Sequence, residues 1–107
     1  MTTRAEVYHK YNGHCAYCGC DITLKTMQID HIHPKYLGGE DKIENYNPSC
    51  RSCNNRKQTL SVESFRKELL MAHERLLRDN TTYRIANRFG YLGKTKERIV
   101  FYFETIK

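Results

Sequence analysis

This chain of 107 residues contains no apolar run long enough to cross a bilayer. No secretory leader is recognisable, so nothing supports export into an oxidising compartment. There is no internal repeat, which sets aside solenoids and propellers. Low-complexity tracts and linkers are also missing, and the length predicts a single domain over residues 1–107. A long helix carrying an obvious base-reading set is absent too, and with it the usual sign of a groove reader. A domain of this size builds only a small core, and a structural metal is a natural supplement to it.

The charge is moderately basic: 18 Lys and Arg against 12 Asp and Glu, a formal net of +6. Four metal-bound thiolates and a divalent ion would bring that to about +4. Such an excess suits a polyanionic partner without demanding one.

The five cysteines are more informative. Cys15 and Cys18 form one C-x2-C pair and Cys50 and Cys53 a second, with 31 residues between Cys18 and Cys50. A C-x2-C turn places two sulfurs on one side of an ion, and four thiolates suit tetrahedral Zn2+. The alternatives are disulfides or unrelated buried thiols, and disulfides need an oxidising compartment. Cys20 reads as a free small side chain, because the paired thiols already complete a tetrahedron. Reduced cysteines without sorting signals predict a cytoplasmic location.

Along the chain, residues 2–11 predict a short helix capped by Thr2 or Thr3, with Glu6 three residues after Thr3 as a capping box, and ended by Asn12-Gly13. Residues 22–29 read as extended. Pro34 and Gly38-Gly39 mark a loop, the acidic run over residues 40–44 reads as solvated, and residues 45–48 as a second short extended piece or a turn. Residues 50–59 predict a helix opening on the second cysteine pair. Residues 61–79 give the clearest helix, capped by Ser61. Val62, Phe65, Leu69, Ala72 and Leu76 share one of its faces, widened by Leu70 and Leu77, and that face is expected to be buried in a core or a dimer. A further helix is expected over residues 82–89. Residues 98–106 alternate as a strand, with a hairpin partner near residues 91–93 and a turn over residues 94–97. Five bases and one acid between Arg84 and Arg98 form either a phosphate-contacting strip or a solvated face.

The chemistry concentrates in residues 30–57, DHIHPKYLGGEDKIENYNPSCRSCNNRK. Cleaving a phosphodiester requires a deprotonated water, neutralised phosphate oxygens and a stabilised leaving oxygen. A histidine can take the proton near neutral pH, and a carboxylate with an amide oxygen suits Mg2+ or Mn2+. Asp30 and His31 are neighbours on extended chain and so point to opposite sides. Asn54 follows Cys53, which fixes it against the strand, and Lys57 lies one helical turn further on, within reach of the same phosphate. Each feature has a plainer reading: Asp30-His31 as a surface pair, His33 as structural or substrate-facing, Asn54 as a helix cap, and His9 and His14 as surface or packing histidines.

Taken together, DHIHP, GG, EN-Y-NPSC and CRSCNNRK resemble the HNH endonuclease family. The small four-cysteine zinc members found in bacteriophages and bacteria are especially similar. The likeness spans about residues 13–58. It implies an α+β fold, a zinc-stapled ββα-metal (His-Me finger) core, to which residues 61–107 add a C-terminal helix and β-hairpin extension. It also implies that Asp30 is the first ligand of a catalytic divalent ion and His31 the general base. Asn45 matches the middle asparagine that orients the base and its loop. Its spacing from the second cysteine pair favours it over the rival Asn47. Asn54 stands where many members carry a final histidine, which makes this an H-N-N variant with a second oxygen ligand, a change that weakens softer metals. Arg51, Arg56 and Lys57 are the expected nucleic-acid contacts.

The leading expectation is therefore a DNA endonuclease or nickase with structural Zn2+ and catalytic Mg2+ or Mn2+. Such a nuclease resembles an accessory part of phage DNA packaging or of a mobile element, and would work in the host cytoplasm if phage-encoded. A second class is a non-catalytic zinc-stapled nucleic-acid-binding module, and a third an interaction role in which helix 61–79 docks on a larger machine.

Overall fold

The computed structural model describes residues 3–93 and 99–106. These fall into two compact units, one formed by residues 1–62 with 100–107 and the other by residues 63–99. The chain's last residues thus belong with its first, not with the extension that precedes them.

The first unit opens with helix α1 (Arg4–His9), where the Thr3 hydroxyl accepts from the Glu6 amide and the Glu6 carboxylate accepts from Thr3, the expected capping box. The guanidinium of Arg4 donates to the Leu24 and Met27 carbonyls at 2.8 and 2.7 Å, which ties the helix to the following loop. That loop carries most of the segment expected to be extended. Residues 24–26 form a turn, and strand β1 covers only Gln28–His31. Strand β2 (Tyr46–Ser49) pairs with it antiparallel, Asp30 opposite Asn47 and His31 opposite Tyr46. Helix α2 (Arg51–Lys57) follows at once, giving the ββα order that the sequence predicts. Between the strands, one-turn 3₁₀ segments form at Lys35–Leu37 and Ile43–Asn45. Gly39 has no alternative there: a Cβ would stand 1.7 Å from the His33 carbonyl oxygen.

The core of this unit is small and partly aromatic. Val7, Ala16, Ile22, Met27, Tyr17 and Phe101 are all buried. Tyr17 meets Phe101 and Phe103 edge-on at centroid distances of 5.2 and 5.7 Å. The amides of Tyr102 and Phe103 donate to the carbonyls of Tyr17 and Ala16, so the chain's end is stitched to the first cysteine turn. Residue 98 lies outside the described residues, and over residues 99–106 the expected strand does not form. Residues 99–101 are irregular and Tyr102–Thr105 is a one-turn helix, α5. The aromatic alternation that suggested a strand serves this packing instead. The expected hairpin partner over residues 91–93 is a turn after a helix, and the turn over residues 94–97 lies outside the described residues.

In the second unit, helix α3 (Val62–Asp79) starts in the first unit at Val62 and runs to Asp79, where Asn80 begins helix α4 (Thr81–Arg88) by accepting from the Tyr83 amide at 2.9 Å. His73 Nδ1 and the Tyr83 hydroxyl lie 2.8 Å apart, joining the two helices. The expected apolar face of α3 is only partly covered: Phe65 is buried, Val62, Leu69 and Ala72 are half-buried, and Leu76 is exposed.

Candidate metal centre and catalytic cleft

The four paired cysteines converge. The sulfurs of Cys15, Cys18, Cys50 and Cys53 all lie within 4.8 Å of one another. Cys18 and Cys50 sulfurs are 3.8 Å apart, close to the edge of a tetrahedron whose metal–sulfur bonds are about 2.3 Å. The backbone prepares each pair. The Tyr17 amide donates to Cys15 Sγ and the Cys53 amide to Cys50 Sγ, at 3.4 and 3.3 Å. Cys50 thereby doubles as the N-cap of α2, so one residue starts the helix and offers a ligand. Thiolate donors in this arrangement suit Zn2+. Cys20 is exposed and outside the quartet, although its thiol neighbours Cys18 and Cys50.

The quartet anchors a cleft of about 380 Å³ lined by Asp30, His31, Pro34, Lys35, Asn54 and Gln58, among others. Three of the residues singled out by sequence, Asp30, His31 and Asn54, therefore share one concavity, two delivered by β1 and one by α2. The alternation of the strand shows in their exposure. Asp30 is 4% exposed, whereas His31 is half-exposed.

Beneath the cleft lies a buried polar triad. Lys57 is fully buried, and its ammonium sits 3.0 Å from Asp30 Oδ1 and donates to the His31 carbonyl at 3.0 Å. The Tyr17 hydroxyl donates to Asp30 Oδ2. Burial pushes the Asp30 carboxyl above its ordinary range, and Tyr17 and Lys57 pull it back. Burial, with Asp30's charge next, also raises Tyr17, so its hydroxyl keeps its proton and donates. Lys57 consequently departs from the expectation of a phosphate contact. Its helix position turns it into the core, where a buried ammonium needs a counter-charge and Asp30 provides one. Arg51 and Arg56, on the same helix, are exposed.

The two rival asparagines part company. Asn45 fastens the loop between the strands: its Oδ1 accepts from the His33 amide at 2.8 Å, and its Nδ2 donates to the His33 and Glu40 carbonyls at 3.0 and 2.9 Å. Asn47 is fully buried, with Nδ2 3.4 Å from the Tyr17 hydroxyl. His33, Glu40 and Asn45 border a separate shallow hollow.

Residues absent from the sequence reading also matter here. His31 Nε2 lies 2.8 Å from Asp41 Oδ1, and Lys35 is 3.0 Å from the other oxygen of Asp41. The Tyr46 ring meets the His31 ring edge-on at 5.2 Å. Asp41 sits within a run that reads as solvated, and Tyr17 within a cysteine turn; no local pattern marks either, because each acquires its partner only when the strands pair.

A small antiparallel pair, a following helix, a thiolate cluster and an Asp-His-Asn cleft define a ββα-metal type of protein. The family model for HNH endonucleases matches residues 15–70, a little over half of the chain, and the chain belongs to that family. The chain is 36% identical over 55 residues to the CRISPR-associated endonuclease Cas9 of Corynebacterium diphtheriae, a match that spans 50% of this chain and 5% of that protein. The crystal structure of the Type II-C Cas9 enzyme from Actinomyces naeslundii shares the fold with a TM-score of 0.57 and 23% identity, over 89% of this chain and 13% of that one. The chain is thus similar to a small part of much longer proteins. Among the described residues, no helix is long and apolar enough to cross a membrane.

Proposed function

We infer that this chain hydrolyses DNA phosphodiester bonds as a divalent-metal-dependent endonuclease or nickase. The observation that carries the reading is the meeting of Asp30, His31 and Asn54 in one cleft whose strand and helix are tied to the cysteine quartet. Cys15, Cys18, Cys50 and Cys53 would hold a structural zinc, and their sulfur-only donor set fits it. Asp30 and Asn54 offer a carboxylate and an amide oxygen, a hard donor set that fits Mg2+ or Mn2+. When bound there, such an ion supplies positive charge against the phosphate and the leaving 3′ oxygen. His31, half-exposed in the cleft, takes the proton from the attacking water. Asn45 holds the loop that walls the cleft, and exposed Arg51 and Arg56 lie on α2 to meet flanking phosphates.

One observation favours a second reading. Both carboxylate oxygens of Asp30 already have partners, Lys57 and Tyr17, so a cation must share Asp30 with a buried ammonium. A zinc-stapled nucleic-acid-binding module without catalysis would leave that triad undisturbed. Supercoiled plasmid, incubated with Mg2+, Mn2+ or EDTA, separates the two. The nuclease reading expects metal-dependent nicking, lowered roughly 10²- to 10⁴-fold in His31→Ala with DNA binding and zinc content retained. In Asp30→Ala the loss should come with weaker Mn2+ binding. Full activity in His31→Ala, or in excess EDTA, overturns the mechanism.

A further inference from the structure

The nuclease reading uses only part of the cleft. Its volume of about 380 Å³ lies within the range of about 300–1,000 Å³ that takes a small organic molecule, more than a divalent ion and one phosphate fill. Ile29, Pro34 and Tyr36 line it beside the polar residues. An ion and a phosphate gain nothing from an apolar wall, whereas the face of a nucleobase does. Tyr36 belongs to the one-turn segment Lys35–Leu37 and is 67% exposed, with no ring or hydrogen-bond partner among the described residues. Gln58 lines the same cavity from the end of α2, in a backbone conformation that glutamine rarely adopts. Its φ and ψ are 48° and −121°, and the Leu60 amide donates to the Lys57 carbonyl at 2.9 Å. That is the first central position of a type II′ turn, which glycine dominates because a Cβ is strained there. Lys57, at the head of the turn, is fixed by its buried contact with Asp30. The Gln58 carboxamide is exposed and has no hydrogen-bond partner among the described residues.

We propose that Tyr36 and Gln58 form a nucleobase subsite next to the scissile phosphate, in which the Tyr36 ring stacks on a base of the strand being cut and the Gln58 carboxamide hydrogen-bonds to that base's edge. The proposal rests on the nuclease reading, since the phosphate that seats the base is the one met by Asp30, His31 and Asn54. The two side chains divide the recognition by their chemistry. A phenol ring offers a face that any base can cover, so stacking adds affinity without choosing a sequence. A carboxamide offers a donor and an acceptor side by side, so it matches a base edge presenting the complementary pair, as adenine's does. Choice among bases is therefore the part of Gln58. The strained turn fits that part. Residues in sparsely populated backbone regions collect at ligand clamps, and glycine would relax this turn but remove the carboxamide. A base meets the Tyr36 ring only when it leaves a stacked neighbour, which is easiest at a mismatch.

The experiment uses the full chain with zinc bound. Nicked ends are mapped on plasmid with Mn2+, and two synthetic duplexes are built from a mapped site, one fully paired and one mismatched beside the cut. Wild type, Tyr36→Ala, Tyr36→Phe and Gln58→Gly are compared for kcat/KM on both duplexes, for the bases flanking the mapped cuts and for melting temperature. Tyr36→Ala should lose roughly 5- to 150-fold on the mismatched duplex, and with it the advantage of the mismatch, while Tyr36→Phe keeps both. Gln58→Gly should melt a few degrees higher as the turn relaxes, yet flatten the base preference next to the cut. Nicking by Tyr36→Ala within about twofold of wild type on both duplexes overturns the proposal and leaves the nuclease reading standing. A wild-type cut distribution without base preference, or one that Gln58→Gly leaves unchanged, overturns it as well. The nuclease reading fails separately, by wild type nicking nothing. Fluorescence anisotropy of a labelled duplex carrying one mismatch then decides on binding alone. Equal affinity in wild type and Tyr36→Ala overturns the subsite too, whereas a loss that Tyr36→Phe restores supports it on a DNA-binding module without catalysis.

Discussion

The two compact units bury different kinds of residue. In the first, Asp30, Asn47, Ser49 and Lys57 are at most 4% exposed, alongside a handful of apolar side chains. In the second, Phe65 and Arg66 are the buried residues of α3, α4 has none, and Leu70, Met71, Leu76, Ile85, Phe89, Tyr91 and Leu92 are exposed. One unit gathers four cysteine sulfurs and sets a buried carboxylate against a buried ammonium, directional arrangements whose loss is abrupt. The other buries little, and its apolar side chains grade from buried Phe65 to exposed Leu76, beside polar links such as His73 to Tyr83. Function needs the first kind of burial, because a cleft with fixed polar groups cannot be built from contacts that slide.

The sharpest break between the units should come from the metal. One tightly held zinc per chain is expected. Cys50→Ser should remove it and unfold the first unit, because structural zinc sites in small peptides contribute on the order of 10–16 kcal/mol and that energy is coupled to folding. Near-UV circular dichroism from the Tyr17, Phe101 and Phe103 cluster should collapse, while far-UV helicity, much of it in the 18 residues of α3, falls less. Full zinc content with an unchanged near-UV spectrum in Cys50→Ser would contradict this.

Next in size is the buried pair. Lys57→Met strands the Asp30 carboxylate, and breaking such a pair typically destabilises by about 3–5 kcal/mol. The double change Asp30→Asn with Lys57→Met removes both charges and should regain most of that. Chemical denaturation of both variants decides the matter. A single variant as stable as wild type would mean that Asp30 finds water or another partner instead.

Much of the first unit was legible because its signals are local. Two C-x2-C pairs announce a four-sulfur cluster wherever they meet, Thr3 and Glu6 announce a capping box, and DHIHP with CRSCNNRK marks the ββα core. Lys57 was misjudged because helical spacing says which residues neighbour one another, not which face the strand pair will cover. The segment at residues 98–106 shows the converse. Its apolar alternation is real, but Tyr17 is available to receive Phe101 and Phe103, and tertiary packing overrides the strand pattern. Asp41 carried no signal at all, since an acid beside a Gly-Gly turn is ordinary until a histidine arrives from another strand.

Within the helical unit, the graded character predicts graded effects. Leu69, half-buried on α3, should lose about 1–3 kcal/mol on substitution by Asp, whereas Leu76, 42% exposed on the same predicted face, should change by less than about 0.5 kcal/mol. Thermal unfolding with both variants tests the pair. Equal losses would show that the whole face is covered, as it would be in a dimer, and sedimentation would then reveal the second copy.

The smallest effect is electrostatic and belongs to Asp41. Hydrogen bonding from His31 first, and from Lys35 second, holds its carboxyl below the ordinary value near about 3.9. A carboxyl depressed in the folded state binds its proton more weakly there than in the unfolded chain. It therefore adds stability above the unfolded value, and that stability drains away as pH falls through the folded one. Thiolate protonation and zinc loss will dominate the acid limb, but they are common to wild type and Asp41→Asn, so the difference between the two profiles isolates the Asp41 contribution. That difference should be present at pH 5, shrink as pH drops below about 4, and weaken with added salt because Asp41 is exposed. Melting temperatures from pH 5 to pH 3, at low and high ionic strength, provide the measurement. Superimposed profiles at low salt would show that the Asp41 pairs with His31 and Lys35 add nothing to folding. The loop would then be held by Asn45 and by the tight approach at Gly39.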